Sequence, residues 1–246
     1  MFKKSLSLEE TRLDIISDIG SDFLDEFIIS ERDKLKNYIL NHNDFFNSHK
    51  PVSIEDSEEM DIVKIMAEAG KIANVGPMAA VAGTISELTV GELIKQGSKF
   101  SIVNNGGDIS FINENRKVVC GIYSGNSTLS AELGFEFKPQ KSAIGLCTSS
   151  GTVGYSFSYG RADSVSVIAN KSSVADAIAT TIANDVRGYY DDEAVENGLN
   201  TALKFESHVI GVLIVLGDLI ATFGKLPKLV SLKKEDNLEF EEDTIL

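Results

Sequence analysis

Between Gly145 and Gly160 the chain reads Gly-Leu-Cys-Thr-Ser-Ser-Gly-Thr-Val-Gly-Tyr-Ser-Phe-Ser-Tyr-Gly, and no other stretch constrains the fold as much. Eight small or hydroxyl residues lie between Thr148 and Ser158, too many to build a packed core. Glycine lacks the Cβ that holds a ligand off the backbone, and N–H and hydroxyl groups suit phosphate oxygens. The same composition also describes a flexible Gly/Ser connector. Two neighbours favour a ligand loop: Asn104-Asn-Gly-Gly-Asp108 upstream and Ala175-Asp-Ala-Ile-Ala-Thr-Thr181 downstream.

The charge balance excludes several partners. With 23 Lys and Arg against 37 Asp and Glu, the net charge is −14. No basic patch is present to neutralise nucleic acid or an anionic membrane. Part of the excess is local, in the acidic tail Glu235-Asp-Asn-Leu-Glu-Phe-Glu-Glu-Asp243. Two cysteines, Cys120 and Cys147, do not make a disulfide scaffold. The first ten residues hold no apolar run of signal-peptide length. The apolar run Val209–Leu216 is short and soon meets Asp218, so it reads as a buried strand, not a membrane span. The expected location is the cytoplasm.

Periodicity places the elements. Arg12 to Asp18 partly alternates and predicts a strand, and Ser21 to Leu40 has apolar residues at helical spacing. Asn41 to Lys50 is polar and reads as turn. Ser57 to Ala73 predicts a helix with Met60, Ile62, Val63, Met66 and Ala69 inward. A further helix starts at Pro77, where a missing N–H costs nothing, and ends at Gly97. Its first turns, Met78-Ala-Ala-Val-Ala-Gly-Thr84, are nearly all small and suit close packing. Strands are expected at Phe100–Val103, Ile109–Ile112, Val118–Tyr123 and Asp163–Ala169, a helix at Val174–Val186, and a hairpin or meander over 208–232. The mixture gives an α+β class, with one domain over 1–232 and an acidic tail over 233–246.

In one order the chain carries Val75-Gly-Pro-Met-Ala-Ala-Val-Ala-Gly83, Asn105-Gly-Gly-Asp108, Cys147-Thr-Ser-Ser-Gly-Thr-Val-Gly154, Gly160-Arg-Ala-Asp163 and Ala175-Asp-Ala-Ile-Ala-Thr180. Over about residues 10–230 it resembles the ApbE-like superfamily, named for transferases that move FMN from FAD onto a protein threonine, and within it a separate branch. The resemblance implies an ApbE-like fold: a mixed or antiparallel sheet packed with helices around a Gly-rich ligand cleft. It implies that Asn105, Gly106, Gly107 and Asp108 shape a nucleotide site, and that Thr148, Ser149, Ser150, Gly151 and Thr152 lie near flavin and phosphates. It further implies Mg²⁺ on Asp176 and Thr180, with FAD or FMN as ligand and a protein acceptor as partner. Asp176 and Thr180 are four apart and share a helix face, and a carboxylate plus a hydroxyl suits Mg²⁺. The bland alternative is a helix-dipole Asp beside a packed Thr.

The chain also departs from the transferases. No Asp-Pro occurs, so their Asp-Pro-x-Thr-Gly element is missing, and Gly76-Pro-Met78 stands where they carry Lys-Gly. These departures bear on transfer rather than on the fold. For the branch, the resemblance implies another role, an auxiliary part in sulfur assimilation toward homocysteine in anaerobes; the loss of the transferase elements while the glycine motifs stay also suits ligand binding without turnover. A homo-oligomer is compatible with any of these.

The remaining candidates stay open. Arg161 suits a phosphate or carboxylate, or a surface salt bridge. Asp163 suits a ligand, a turn or a pair with Arg161. Asp108 suits a turn or a ligand. Cys147 reads as a small buried residue before it reads as a nucleophile. His42, His49 and His208 show no metal-ligand spacing.

Overall fold

The computed structural model describes residues 1–54, 61–122, 133–149, 160–232 and 244–245. Strands β1 (Phe2–Leu8) and β2 (Thr11–Ser17) form a hairpin. Three helices follow: α1 (Leu24–Asn41), α2 (Asn43–Asn47) and α3 (Asp61–Ala73). A 3-10 turn at Pro77–Ala80 leads into α4 (Val81–Lys95). Then come β3 (Phe100–Asn105), β4 (Asp108–Asn113), β5 (Val118–Gly121), β6 (Leu133–Phe137), β7 (Gln140–Ser149) and β8 (Ser164–Ala169). The chain closes with α5 (Ser172–Asp185), α6 (Asp191–Leu203), β9 (Gly211–Leu216), β10 (Leu219–Gly224), β11 (Lys228–Ser231) and β12 (Thr244–Ile245).

Eight strands make one antiparallel sheet in the order β1-β2-β3-β4-β7-β8-β9-β10. A second sheet, β11-β6-β5-β12, has one parallel pair, β12 with β5. Helices cover one face of the large sheet, and β5 and β6 cover the other. Val118, Cys120, Phe135 and Phe137 pack there on Phe100, Phe111 and Leu146. On the helical face α5 packs through Ala175, Ile178 and Ile182 onto Val165 and Val167. Alternation along each strand decides the facing. In β8, Val165 and Val167 meet the helices while Ile168 meets the small sheet. This is the expected α+β arrangement.

Several expectations need correction. Residues 145–149 are not a bare loop but the buried end of central strand β7. Their small size serves helix packing: a Cβ on Gly145 would lie 2.3 Å from the Cα of Ser172 at the start of α5. The polar stretch 41–50 holds the short helix α2, anchored by the fully buried Phe45. The segment from Pro77 turns as a 3-10 helix before becoming α-helical at Val81. The strand expected to reach Tyr123 ends at Gly121, and Tyr123 lies outside the described residues. So do Met60 and most of the acidic tail, but Thr244–Ile245 at its end pair with β5. The inward set of α3 is found as expected, with Ile62, Val63, Met66 and Ala69 buried.

Candidate functional site

The turn between β3 and β4 is a two-residue hairpin closed by the pair Asn105 and Asp108. Gly106 and Gly107 hold φ of 68° and 111°, as a primed turn requires. The Asn104 side chain fixes it by accepting the N–H of Gly107 at 2.8 Å. Asn105 is buried and fully engaged: its Oδ1 accepts the N–H of Arg12, and its Nδ2 donates to the carbonyl of Ala82 at the start of α4.

Asp108 follows on β4 and points to the helical face, opposite in alternation to Ile109. The register that sets Ile109 beside Leu146 brings Asp108 next to Cys147 on β7. Above them runs α5, whose Asp176 reaches α4. Asp176 Oδ2 accepts the N–H of Gly83 at 2.8 Å, and Ala82 donates to the same carboxylate. These are N–H groups of the first turn of α4, which have no partner within their own helix.

The electrostatics follow from enclosure. Burial pushes the Asp108 carboxyl up to about 7, against hydrogen bonds from the Cys147 thiol and the Thr148 N–H that favour the charged form. Burial also holds Asp176 well above the ordinary carboxylate range, and the charge of Asp108 adds to this. Both residues nevertheless keep partial solvent exposure. Among the described residues, no Lys, Arg or His forms an ion pair with either carboxylate. Among the described residues the site is therefore an acid pair without a compensating cation.

Cys147 forms its floor. Its single S–H faces two acceptors, the Ser172 carbonyl at 3.2 Å and the Asp108 carboxyl. Burial, then the charges of Asp108 and Asp176, hold the thiol up. Cys120, buried between the sheets, is pushed up to about 12 by burial alone. Both sulfurs are protonated at neutral pH and closed to solvent, the reverse of a nucleophile's setting.

The other expected residues divide. Thr180 is half-buried on the Asp176 face of α5, and its hydroxyl has no hydrogen bond among the described residues. Ser149 is buried and alternates onto the helical face with Cys147. The Thr148 hydroxyl points to the opposite face of the sheet, where it pairs with Ser166 at 2.9 Å; only its backbone N–H serves Asp108. Arg161 turns away, donating to the Gly188 carbonyl at 2.9 Å and pairing with Asp191. Asp163 caps the β9–β10 turn through the N–H of Gly217. Ser150, Gly151 and Thr152 lie outside the described residues. Among the described residues no group of three or more His, Cys, Asp or Glu is arranged to hold a metal.

Two participants escaped the sequence reading. Glu87 of α4 caps α5, its Oε2 accepting the Ser173 N–H at 3.0 Å and the Ser173 hydroxyl at 2.7 Å. Ser172 donates its hydroxyl to the Gly83 carbonyl at 2.9 Å. A Cβ on Gly83 would stand 2.3 Å from the Ser172 carbonyl oxygen, so α4 and α5 touch backbone to backbone here. The signal was the small-residue run itself, with Glu87 one helical turn beyond Gly83.

Known proteins are similar to this chain in family and in fold. A family model described as "AbpE bacteria" matches residues 3–219. A UPF0280 protein of Methanothermobacter thermautotrophicus is 47% identical over 221 residues, covering 90% of this chain and 85% of its own length. One from Methanobrevibacter smithii is 42% identical, covering 92% and 94%. Among solved structures, the flavin transferase ApbE of Vibrio cholerae superposes with a TM-score of 0.58 at 14% identity, over 90% of this chain and 96% of that one. The ApbE protein of Thermotoga maritima gives 0.58 at 13% identity, over 89% and 96%. At such identities the superpositions establish the fold alone.

Proposed function

The chain belongs to the family described as AbpE bacteria, and from that premise we propose that its acid pair is the metal end of a site for a flavin nucleotide or a related phosphate ligand. The observation that carries this reading is the pair Asp108 and Asp176, two half-buried carboxylates raised by enclosure, Asp176 further by the charge of Asp108, with no cation beside them among the described residues. Such a pair fits a divalent cation. Mg²⁺ suits a site with few protein ligands, because it keeps water and takes the rest of its shell from phosphates. Asp176 and Thr180 would hold it, with Asp108 adjacent. When bound, the ion neutralises a diphosphate and the charge developing on its leaving group.

The chain's own groups have distinct tasks. Gly106 and Gly107 present backbone without side chains, so a nucleotide approaches closely. The N–H groups of Ala82 and Gly83 orient the Asp176 carboxylate. Ser149, and beyond it Ser150, Gly151 and Thr152, supply donors for phosphate oxygens. FMN transfer to a protein acceptor is the finer version of this reading, and the ApbE fold supports it. A thiol role in sulfur assimilation draws no support from two buried, protonated cysteines.

The test is direct titration of the purified protein with FAD, followed by flavin fluorescence, with and without Mg²⁺. Binding that strengthens with Mg²⁺ supports the proposal. No binding in either condition ends the flavin version, and the same titration with ATP and inorganic pyrophosphate then decides whether a phosphate site remains.

A further inference from the structure

One short stretch of α4, residues 82–87, holds both halves of the acid pair. On the strand side, the Ala82 carbonyl accepts the Nδ2 of Asn105 at 3.3 Å, and the Ser86 hydroxyl donates to the backbone carbonyl of Asp108 at 2.7 Å. On the helix side, the Gly83 N–H reaches the Asp176 carboxylate and the Gly83 carbonyl accepts the Ser172 hydroxyl. One turn on, the Glu87 carboxylate accepts both the N–H and the hydroxyl of Ser173. Ser172 and Ser173 stand four and three residues before Asp176, so they share its face of α5.

The direction of these bonds is informative. A hydroxyl inside a helix commonly turns back on its own helix, as Thr89 does to the Ile85 carbonyl. Ser86 instead reaches across to the strand, at the residue that carries the first carboxylate. Ser86, Ser172 and Ser173 are all buried. Hydrogen bonds in such a setting hold more firmly than in water. We infer that Ser86 and Glu87 are positioning residues, which fix the separation of Asp108 and Asp176 that a divalent cation with its phosphate ligand requires. Ser86 seats the strand of Asp108 on α4, and Glu87 seats the first turn of α5, and with it Asp176, on the same helix. Both act through the carboxylates and neither touches the ligand. The inference rests on the reading of the acid pair given above.

Calorimetric titration of the full chain with pyrophosphate, with and without Mg²⁺, tests it beside amide exchange in metal-free protein. Ser86→Ala and Glu87→Ala are each expected to weaken the Mg²⁺-linked affinity about ten-fold, as losses of outer partners at metal sites do. Glu87→Ala is also expected to speed exchange of the Gly83 amide without any metal present. Glu87→Gln keeps an oxygen acceptor for Ser173 and is expected to restore both readouts. If Glu87→Ala fails to fold, Ser173→Ala, which removes one of the two donors to Glu87, carries the test. Alanine variants that bind as the wild type does overturn the inference. So does a glutamine variant as weak as alanine, since Glu87 would then act through its charge on the ion. A wild type without Mg²⁺-linked binding of pyrophosphate or FAD ends the reading of the site, and this inference with it. A wild type that binds, with linkage lost in Asp176→Asn but kept in both alanine variants, leaves the site standing and overturns this inference alone.

Discussion

The Asp176 carboxylate lies 2.8 Å from the backbone nitrogen of Gly83, so the second turn of α5 caps the first turn of α4. One carboxylate thus serves two ends: it satisfies helix N–H groups and leaves lone pairs for a ligand. Substitution separates these roles. Asp176→Asn keeps an oxygen acceptor, and asparagine caps helices about as well as aspartate. The variant is expected to fold with a melting temperature close to wild type. Its Mg²⁺-linked affinity for FAD or pyrophosphate is expected to fall about ten-fold or more, as losses around metal sites do. Calorimetric titration beside a thermal melt reads both. Intact Mg²⁺ linkage in the variant would remove Asp176 from the metal.

The raised carboxyl of Asp108 has a pH signature. A carboxyl whose folded pKa exceeds its unfolded value contributes stability that is fully present below the unfolded value and is lost as pH rises through the folded one. For Asp108 that window runs from 3.8 to about 7. Metal-free protein should therefore lose stability across it, and Asp108→Asn, which does not titrate, should lose less. Melting temperatures at pH 5 and pH 8 are expected to differ more for the wild type than for the variant. Mg²⁺ at pH 8 is expected to recover more of the wild-type loss. A gap between the two proteins that ignores pH would contradict the enclosure argument.

Gly83 sits where two helices meet through backbone. Gly83→Ala places a Cβ 2.3 Å from the Ser172 carbonyl oxygen and 2.8 Å from the Asp176 Cβ, neither a flexible side-chain tip. The helices must separate, and the expected loss is about 1–3 kcal/mol in urea unfolding. Gly91 on the same helix meets nothing within 4 Å. Gly91→Ala should leave stability unchanged or raise it slightly, by roughly 0.5–1 kcal/mol, since alanine is the better helix former.

The thiols should be silent. Cys120 and Cys147 are both buried and held protonated, so a thiol reagent such as dithionitrobenzoate should label neither in native protein and both in urea. Rapid labelling of Cys147 in the folded state would return it to the list of nucleophiles.

Much of this was legible in the residues. The Gly106-Gly107 pair announced a tight hairpin, and the small run from Met78 to Thr84 announced close helix packing, because each depends on local geometry. The facing of Thr148 was not legible. A hydroxyl beside a glycine-rich stretch looks like a phosphate donor until the strand register sends it to the far side of the sheet, toward Ser166. Arg161 stayed open between a phosphate and a surface salt bridge, because its partner Asp191 is fixed only by how α6 lies. Glu87 was missed because its partner Ser173, at the start of α5, is distant in sequence. Strand β1 was missed because its residues are mostly exposed, and an edge shows little periodicity.

The strand order β1-β2-β3-β4-β7-β8-β9-β10 has a kinetic consequence. Apart from the excursion through β5 and β6, each strand lies beside its predecessor in the chain, though helices intervene at two of the joins. Short-range closures of this kind order quickly, and separations that span helices order later. Asp108 is therefore in place with the β3–β4 hairpin, an early and local event. Asp176 joins it only when α5 folds back over β7 onto an α4 that is already seated. Any affinity that rests on the proposed acid-pair site is accordingly expected to mature last, and a stopped-flow trace of refolding should show hairpin and sheet signals ahead of any signal from the acid pair.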